Sequence, residues 1–359
     1  MQPIRILTCT FPLLLTLILT SPTSQCAGEI YAVDAQQIGV KLVPDKPTIM
    51  IGEPIYLSFI VQNDSNQDLQ VLVGGDYRNA LGRPETFTVT VLREDGKHVP
   101  QPVAGPGFGG LVGPQKLASW GSYTFKLFLP HWATFEESGK YRIVAKRTLN
   151  LRQYRPDGWD FKEKTTDVQT EATATIEVVP PDSERMGELI EDLGTTMLSG
   201  RSDKAEAAGY TLSYIQDDRV VPYFVKALET NSYELKSRAC GALSKFNEEA
   251  AFQALKRAME TKGENIGDTT TKELANQLAN NIRLAAAGAL AKSPHPGAVP
   301  FLLSKRDDTY EGVRITVLHV LGKMKPEEAI PILQEMAHDQ SKTVSDEAKR
   351  YINLLSPKE

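Results

Sequence analysis

Cysteine, histidine and tryptophan are all scarce in this chain: three, five and three among 359 residues. Two of the cysteines, Cys9 and Cys26, fall within the first 27 residues, so a disulfide scaffold is excluded. The third, Cys240, lies among small residues in "RACGALSKF" with no histidine near it in sequence. That is the setting of a buried, inert thiol rather than of a nucleophile. His98, His131, His295, His319 and His338 are scattered, without HxxH, HExxH or CxxC spacing, so no catalytic or metal-ligating residue is assigned. Strong charge of one sign is missing too. A net charge of −5 is too mild for a nucleic-acid or membrane-surface binder. After Leu19 no apolar run of spanning length follows.

The start is different. "MQPIRILTCTFPLLLTLILTSPTSQCAGE" places Arg5 before an apolar run from Ile6 to Leu19, then small and polar residues. This reads as a signal peptide over residues 1–27, cleaved between about Ser24 and Gly28. A lipoprotein reading through Cys26 is set aside, because Gln25 precedes the cysteine and the leucine such sites use is absent. The mature chain is then expected to be periplasmic or secreted, with no membrane insertion, and with net charge −6 once Arg5 is gone.

What remains divides by period. From 33 to 180, "EPIYLSFIVQN", "ETFTVTVLRE", "SYTFKLFL", "GKYRIVAKR" and "TATIEVV" alternate apolar and polar residues. Turn-rich stretches such as "NDSNQD", "REDGK" and "ESGK" separate them. Several short strands with no helix between them predict an antiparallel β-sandwich. Tyr141, near the start of a late strand, sits where immunoglobulin-like sandwiches carry a tyrosine corner, although their inter-sheet cysteine pair is absent. "GPGFGG" at 105–110 matches G-x-G-x-x-G in letters only. Pro106 interrupts it and no helix follows to face a phosphate, so no cofactor is assigned. "NDSNQD" reads as a hairpin turn before it reads as a calcium loop, and Asn63-Asp64-Ser65 is a formal glycosylation acceptor.

"VVPPDSE" ends the strands, and the period changes to that of helices over 183–356. Leu212, Leu243, Leu290 and Leu321 form one column, spaced by 31, 47 and 31 residues. The long interval is one period plus a polar insert, "ETKGENIGDTTTKELA", predicted to be a surface excursion. Ala208, Ala239, Ala286 and Val317 stand four residues before the leucines. Pro222, Gln253, Pro300 and Pro331 stand ten after, as expected for first-turn prolines of a second helix. Val221, Phe252, Val299 and Ile330 are predicted to share a buried face with Phe224, Leu255, Leu302 and Leu333. Fixed periods of this size mean stacked helical hairpins.

"IRLAAAGALAKSPHPGAVPFL" and "VRITVLHVLGKMKPEEAIPIL" are similar to HEAT repeats, of the short variety also found in phycobilisome lyases. The resemblance spans about 185–355, four repeats with a half-repeat at each end. It implies an armadillo-like, right-handed α-α solenoid that binds or scaffolds proteins. Lyase chemistry does not carry over, since the repeats do not contain it. The first repeat departs from the pattern, with Ala205 where the others have Lys236, Arg283 and Arg314.

Arg283 and Arg314 recur at one helical position, which reads as a ladder bonding carbonyls or an aspartate such as Asp307 or Asp308 in the adjacent turn, ahead of a basic stripe for an anionic partner. Lys226, Arg257, Ser304 and Glu335, four residues after the proline column, change sign along the stack, which rejects a phosphate-tracking surface. The stretch 149–169 is longer than a hairpin loop needs and carries Tyr154, Trp159 and Phe161, the candidate partner-binding residues. The expected protein is thus a non-enzymatic, extracytoplasmic scaffold with a protein partner, acting through solenoid and sandwich loops. The alternatives are a polysaccharide- or cell-surface-binding module on a helical stalk, with Trp159 or Trp132 stacking on sugars, and an enzyme with its site at the domain junction.

Overall fold

A computed structural model describes residues 33–73, 86–102, 113–156, 165–200, 202–267 and 271–356. The first half is built from two sheets around one apolar core. Strands β1 (Ile38–Pro44), β3 (Tyr56–Asn63) and β7 (Ser122–Phe128) form the smaller sheet, in the order β1-β3-β7. The larger contains β2 (Thr48–Met50), β9 (Thr166–Val179), β8 (Gly139–Gln153), β4 (Leu69–Val71) and β6 (Gln115–Leu117), in that order, with β5 (Thr88–Arg93) also on β8. Every pairing is antiparallel except that of β2 with the end of β9, which is parallel. The alternation predicted from sequence is met: Leu57, Phe59 and Val61 point inward from β3, against Val89, Ile143 and Ile176 of the facing sheet. Tyr141 is buried, and its hydroxyl donates to the Glu137 carbonyl at 2.7 Å.

Strands β8 and β9 are longer than the sequence suggested, so the 149–169 loop shortens to 154–165. The reason is that Leu149, Leu151 and Val168 continue the inward alternation and are buried. Two surface expectations also change. Trp132 is 0% exposed, so it cannot stack on a sugar. Asn63 is equally enclosed, its amide donating to the carbonyls of Gln67 and Ala118 at 2.7 and 3.0 Å, which removes it as a glycosylation acceptor in the folded chain.

Beyond Pro181 the chain is helical. Asp182 caps α1 (Ser183–Leu198), its carboxylate accepting from the backbone N–H groups of Glu184 and Arg185. Four hairpins follow: α2 (Asp203–Leu212) with α3 (Val221–Glu229), α4 (Tyr233–Leu243) with α5 (Glu249–Ala258), α6 (Lys272–Leu290) with α7 (Ala298–Leu303), and α8 (Glu311–Leu321) with α9 (Pro326–Met336). Helix α10 (Lys342–Leu355) closes the stack. Each column leucine is the last residue of its first helix, and all four are 0% exposed. Each is worth about 1.5–3 kcal/mol of burial. Gly194 permits α1 to meet α3, since a Cβ there would overlap the Tyr223 ring.

Three details of the repeat reading are corrected. Val221 and Phe252 are buried as expected, at 2% and 8% exposed, but the fully closed partners of Phe224, Leu255, Leu302 and Leu333 stand one position earlier, at Val220, Ala251, Ala298 and Ala329, all 0% exposed. Val299 and Ile330 are only half-buried. Along a helix a step of four returns to within about 40° of the starting face and a step of three only to within about 60°, so the closer match is the residue four positions before. Pro222 and Pro300 do lie in first turns, but Pro331 is inside α9, which starts at Pro326 and so carries the proline one turn too late. Finally, the polar insert is no free excursion. Its last residues, from Lys272, belong to α6, Ile266 is 6% exposed, and the Gly267 N–H donates to the Asn231 carbonyl.

Candidate functional site

The repeat stack places one side chain per hairpin at the mouth of each inter-repeat turn. These positions are Ala205, Lys236, Arg283 and Arg314, and 25 residues further along the chain stand Thr230, Thr261, Asp308 and Asp339. Arg314 pairs with both oxygens of Asp339, at 2.8 and 2.9 Å, and donates to the Asp308 carbonyl at 2.8 Å. Arg283 pairs with the Asp308 carboxylate and donates to the Met259 carbonyl. Lys236, facing Thr261 instead of an acid, donates to the Leu228 carbonyl. Arginine thus occurs where an aspartate stands opposite, and it makes the bidentate fork that lysine cannot. Arg314 and Asp339 are nearly closed to solvent, with side chains 5% and 12% exposed. The ladder clasps neighbouring turns, with Asp308 rather than Asp307 as the acid for Arg283 and Asp339 as the acid for Arg314.

The surface this clasp holds steady is the outer side of the second helices. Pro222, Pro300 and Pro331 are exposed there, as are Lys226, Arg257, Ser304 and Glu335 four residues on. The stripe begins basic and ends on one acid, Glu335, which is paired with Arg306 at 3.2 Å.

At the junction of the halves, rings close the space. Phe128 at the end of β7 lies 5.1 and 4.7 Å from the rings of Tyr210 and Tyr214, and 4.8 Å from that of Tyr56. His131 Nε2 and the Tyr210 hydroxyl are 2.5 Å apart, and burial pushes the Tyr210 phenol well above its ordinary range. On the other side Glu53, its side chain 1% exposed, accepts from Lys46 at 2.6 Å, from Arg185 of α1 at 2.8 Å and from the Met50 N–H at 3.1 Å. Met50 packs into the solenoid core.

The opposite end of the sandwich gathers the β3–β4, β6–β7 and β8–β9 loops. Asp68 accepts from the Ser119 N–H and from Lys116, which together hold its carboxyl below the ordinary range, the Lys116 bond contributing most. Lys116 also lies 4.7 Å over the Tyr154 ring, and the Tyr154 N–H donates to the Asp68 carbonyl. Tyr154 is therefore a half-buried frame residue, whereas Trp159 and Phe161 lie outside the described residues. So does "GPGFGG".

Sequence reasoning missed Trp120. It is 68% exposed at the tip of the β6–β7 turn, with φ of 56°. A bulky residue in the left-handed region is rare and strained. The turn is held by the Trp120 N–H on the Ser65 carbonyl at 3.1 Å and by the Gly121 N–H on the Ala118 carbonyl at 3.0 Å. A tryptophan beside a glycine in the short turn "ASWGS", just before an alternating run, was the available signal.

Cys240 is 0% exposed and burial pushes its thiol up to about 12, the inert state expected. Among the described residues no group of three or more histidine, cysteine or acidic side chains could hold a metal, and no helix is long and apolar enough to cross a membrane.

Comparison with known proteins agrees with the repeat reading where it has something to say. Residues 267–352 match the family model for HEAT repeats. No curated protein matches. Among solved structures, Spo0M, a sporulation control protein from Bacillus subtilis, is 14% identical, with 44% of this chain aligned to 56% of that one and a TM-score of 0.18. A mutant alpha-2-macroglobulin from Salmonella is 11% identical over 89% of this chain and 26% of its own, at a TM-score of 0.21. A polysaccharide lyase is 11% identical over 89% and 48%, at 0.15. The chain spans about half the length of the first of these, and less of the other two.

Proposed function

We propose that the chain is an extracytoplasmic, non-enzymatic binding protein that recognises a protein partner on the outer side of its second helices. HEAT repeats are generally protein-interaction modules, and the match at 267–352 supports that role. The observation that carries the reading is the exposed stripe from Lys226 and Arg257 to Glu335, held on a stack whose apolar columns are closed. A rigid surface that is basic at one end and neutralised at the other suits a partner that is acidic at one end, and it steers one orientation of docking. The ring contacts of Phe128 with Tyr56, Tyr210 and Tyr214 support packing as the role of the junction. The N-terminal run of Ile6–Leu19 after Arg5 supports export. Tyr141 and its bond to Glu137 support an immunoglobulin-like character for the sandwich. Trp120, presented at the far loop end, is the second contact.

The test is capture from the source's own envelope fraction by the mature chain, with cross-links mapped. Cross-links should fall on α3, α5, α7 and α9. Lys226→Glu with Arg257→Glu should reduce capture at least tenfold without changing the melting temperature. Undiminished capture by that variant would remove the stripe as the recognition surface. Trp120→Ala tests the loop end in the same way, and a polysaccharide retained through Trp120 would favour the surface-binding alternative.

A further inference from the structure

On the outer side of the stack a row of rings crosses from one hairpin to the next. His295 stacks on Phe252 with centroids 4.3 Å apart, and Phe252 meets Phe301 edge-on at 6.2 Å. Two lysines close over Phe301 from different hairpins: Lys256 of α5, 5.2 Å from the ring centroid, and Lys305, just beyond α7, at 4.9 Å. Lys256 is also 5.2 Å from the Phe252 centroid. Sharing one ring keeps the two ammonium groups within about 10 Å of each other. Among the described residues neither has an ion pair or a side-chain hydrogen bond, nor has Arg257, exposed next to Lys256. Nearby cations are matched: Arg306 pairs with Glu335 and Arg283 with Asp308. Glu249, the acid two turns before Lys256 on α5, is engaged by Gln253 at 2.6 Å and by His295 at 3.0 Å. The Gly297 N–H donates to His295 Nδ1, so Nε2 carries the hydrogen that Glu249 accepts.

We propose that Lys256 and Lys305 dock an acidic segment of the protein partner, receiving two of its carboxylates over the Phe301 ring. The proposal rests on the outer side being the recognition surface, and it deepens that reading by giving the partner's chemistry. A cation over an aromatic face is held there by about 0.5–1 kcal/mol at an exposed site. Heads already held have less freedom to lose when a carboxylate arrives, so more of the pairing energy appears as affinity. Rings beneath a charge pair exclude water from one side and lower the local dielectric, which strengthens the pair. In an extended segment, side chains two residues apart lie on one face roughly 7 Å from each other, within reach of both lysines. Because the lysines come from two hairpins, the segment lies across the stack, from α5 to α7.

The probe is an acetylated, amidated peptide of three glutamates alternating with glycine, titrated into the full chain and followed by NMR at the rings of Phe252 and Phe301. The same peptide with glutamine for glutamate is the control. The glutamate peptide should shift both rings in the millimolar range, and the glutamine peptide should bind at least roughly tenfold more weakly. Raising salt from about 0.1 M to about 1 M should weaken the glutamate peptide too, since the screening length falls from about 10 Å to about 3 Å. Lys256→Met with Lys305→Met keeps the stems on the rings and removes the charges, so it should lose the peptide and keep the parent melting temperature. Lys305→Gln alone, beyond the end of α7, should bind roughly threefold more weakly. Lys41→Glu with Lys349→Glu, on β1 and α10, changes the net charge more and should leave the affinity within about twofold. The proposal is overturned by the absence of shifts, by equal binding of the glutamine peptide, or by undiminished binding in the two Phe301 lysine variants. An equal loss in the β1 and α10 variant would overturn it as well, since net charge alone would then attract the peptide. So would a galacturonate oligomer bound tenfold more tightly than the peptide, which would give the lysines to an acidic polysaccharide. None of these failures touches capture through Lys226 and Arg257. Conversely, undiminished capture by Lys226→Glu with Arg257→Glu removes the general reading and leaves the peptide result as measured.

Discussion

Removing Asp339 should unclasp the C-terminal end of the stack. Arg314 is 5% exposed, and in the parent chain it holds two bonds to Asp339 and one to the Asp308 carbonyl. Asp339→Ala strands a guanidinium with one short carbonyl bond in a place water barely reaches. Breaking a buried pair from one side costs about 3–5 kcal/mol, and the surviving carbonyl argues for the lower end. The Ser341 N–H, 2.7 Å from Asp339 Oδ1, also loses its acceptor, adding about 0.5–1 kcal/mol. For a solenoid of this size, a loss of about 4 kcal/mol lowers the melting temperature by roughly 8–16 °C. Arg314→Met with Asp339→Leu should recover most of it, because no charge is then left behind. Thermal melts of both singles and the double give the coupling. A single variant within about 1 kcal/mol of the parent would refute the assignment of the pair as a clasp. Acid offers a second view. Burial pushes the Asp339 carboxyl up, but the bonds from Arg314 and the Ser341 N–H outweigh it, and the net shift is downward. Its contribution is therefore complete above the unfolded value of about 3.9 and disappears as pH falls through the lower folded one. The parent should lose stability below about pH 4 more steeply than Asp339→Asn.

Leu290→Asp places an unpaired carboxylate at a 0% exposed site and should cost several kcal/mol, spreading to both neighbouring hairpins; a parent-like melt would mean the column is misassigned. Ile266→Ala should cost about 2 kcal/mol by chemical denaturation, and no loss would return the insert to a free excursion. Trp120→Gly removes left-handed strain and should raise stability by about 0.5–1 kcal/mol while weakening capture; a loss of stability would show that the ring packs. Cys240 should resist iodoacetamide at pH 8 in the folded chain and react on denaturation, and fast labelling of the native form would contradict its burial.

The helical half was the more legible in sequence, because a leucine repeated at one spacing leaves few other ways to be buried. Small residues were harder. Ala298 and Ala329 are as enclosed as the leucines, yet alanine is compatible with any surface, and Val299 and Ile330 drew the face toward themselves. The ladder was half visible, since Asp308 was close in sequence to Arg314 but the pairing skips a turn, to Asp339. In the sandwich, alternation marked the strands but could not set their order, which depends on pairings such as Met50 with Val179 across much of the chain. Trp120 was hidden because its backbone angle, not its identity, makes it unusual.

The seam between the halves also determines how the protein would bear a load. Only Pro180, Pro181 and Asp182 separate β9 from α1, so a pull on the far end of the stack arrives along the axis of β9. That strand is laced to β8 from Gly139–Val178 to Leu151–Thr166 and to β2 over its last three residues. Its hydrogen bonds lie across the direction of pull and must shear together, whereas the hairpins of the stack, each gripping only its neighbours, can peel away in turn. Under tension the helices lengthen first, and the sandwich holds as the anchor.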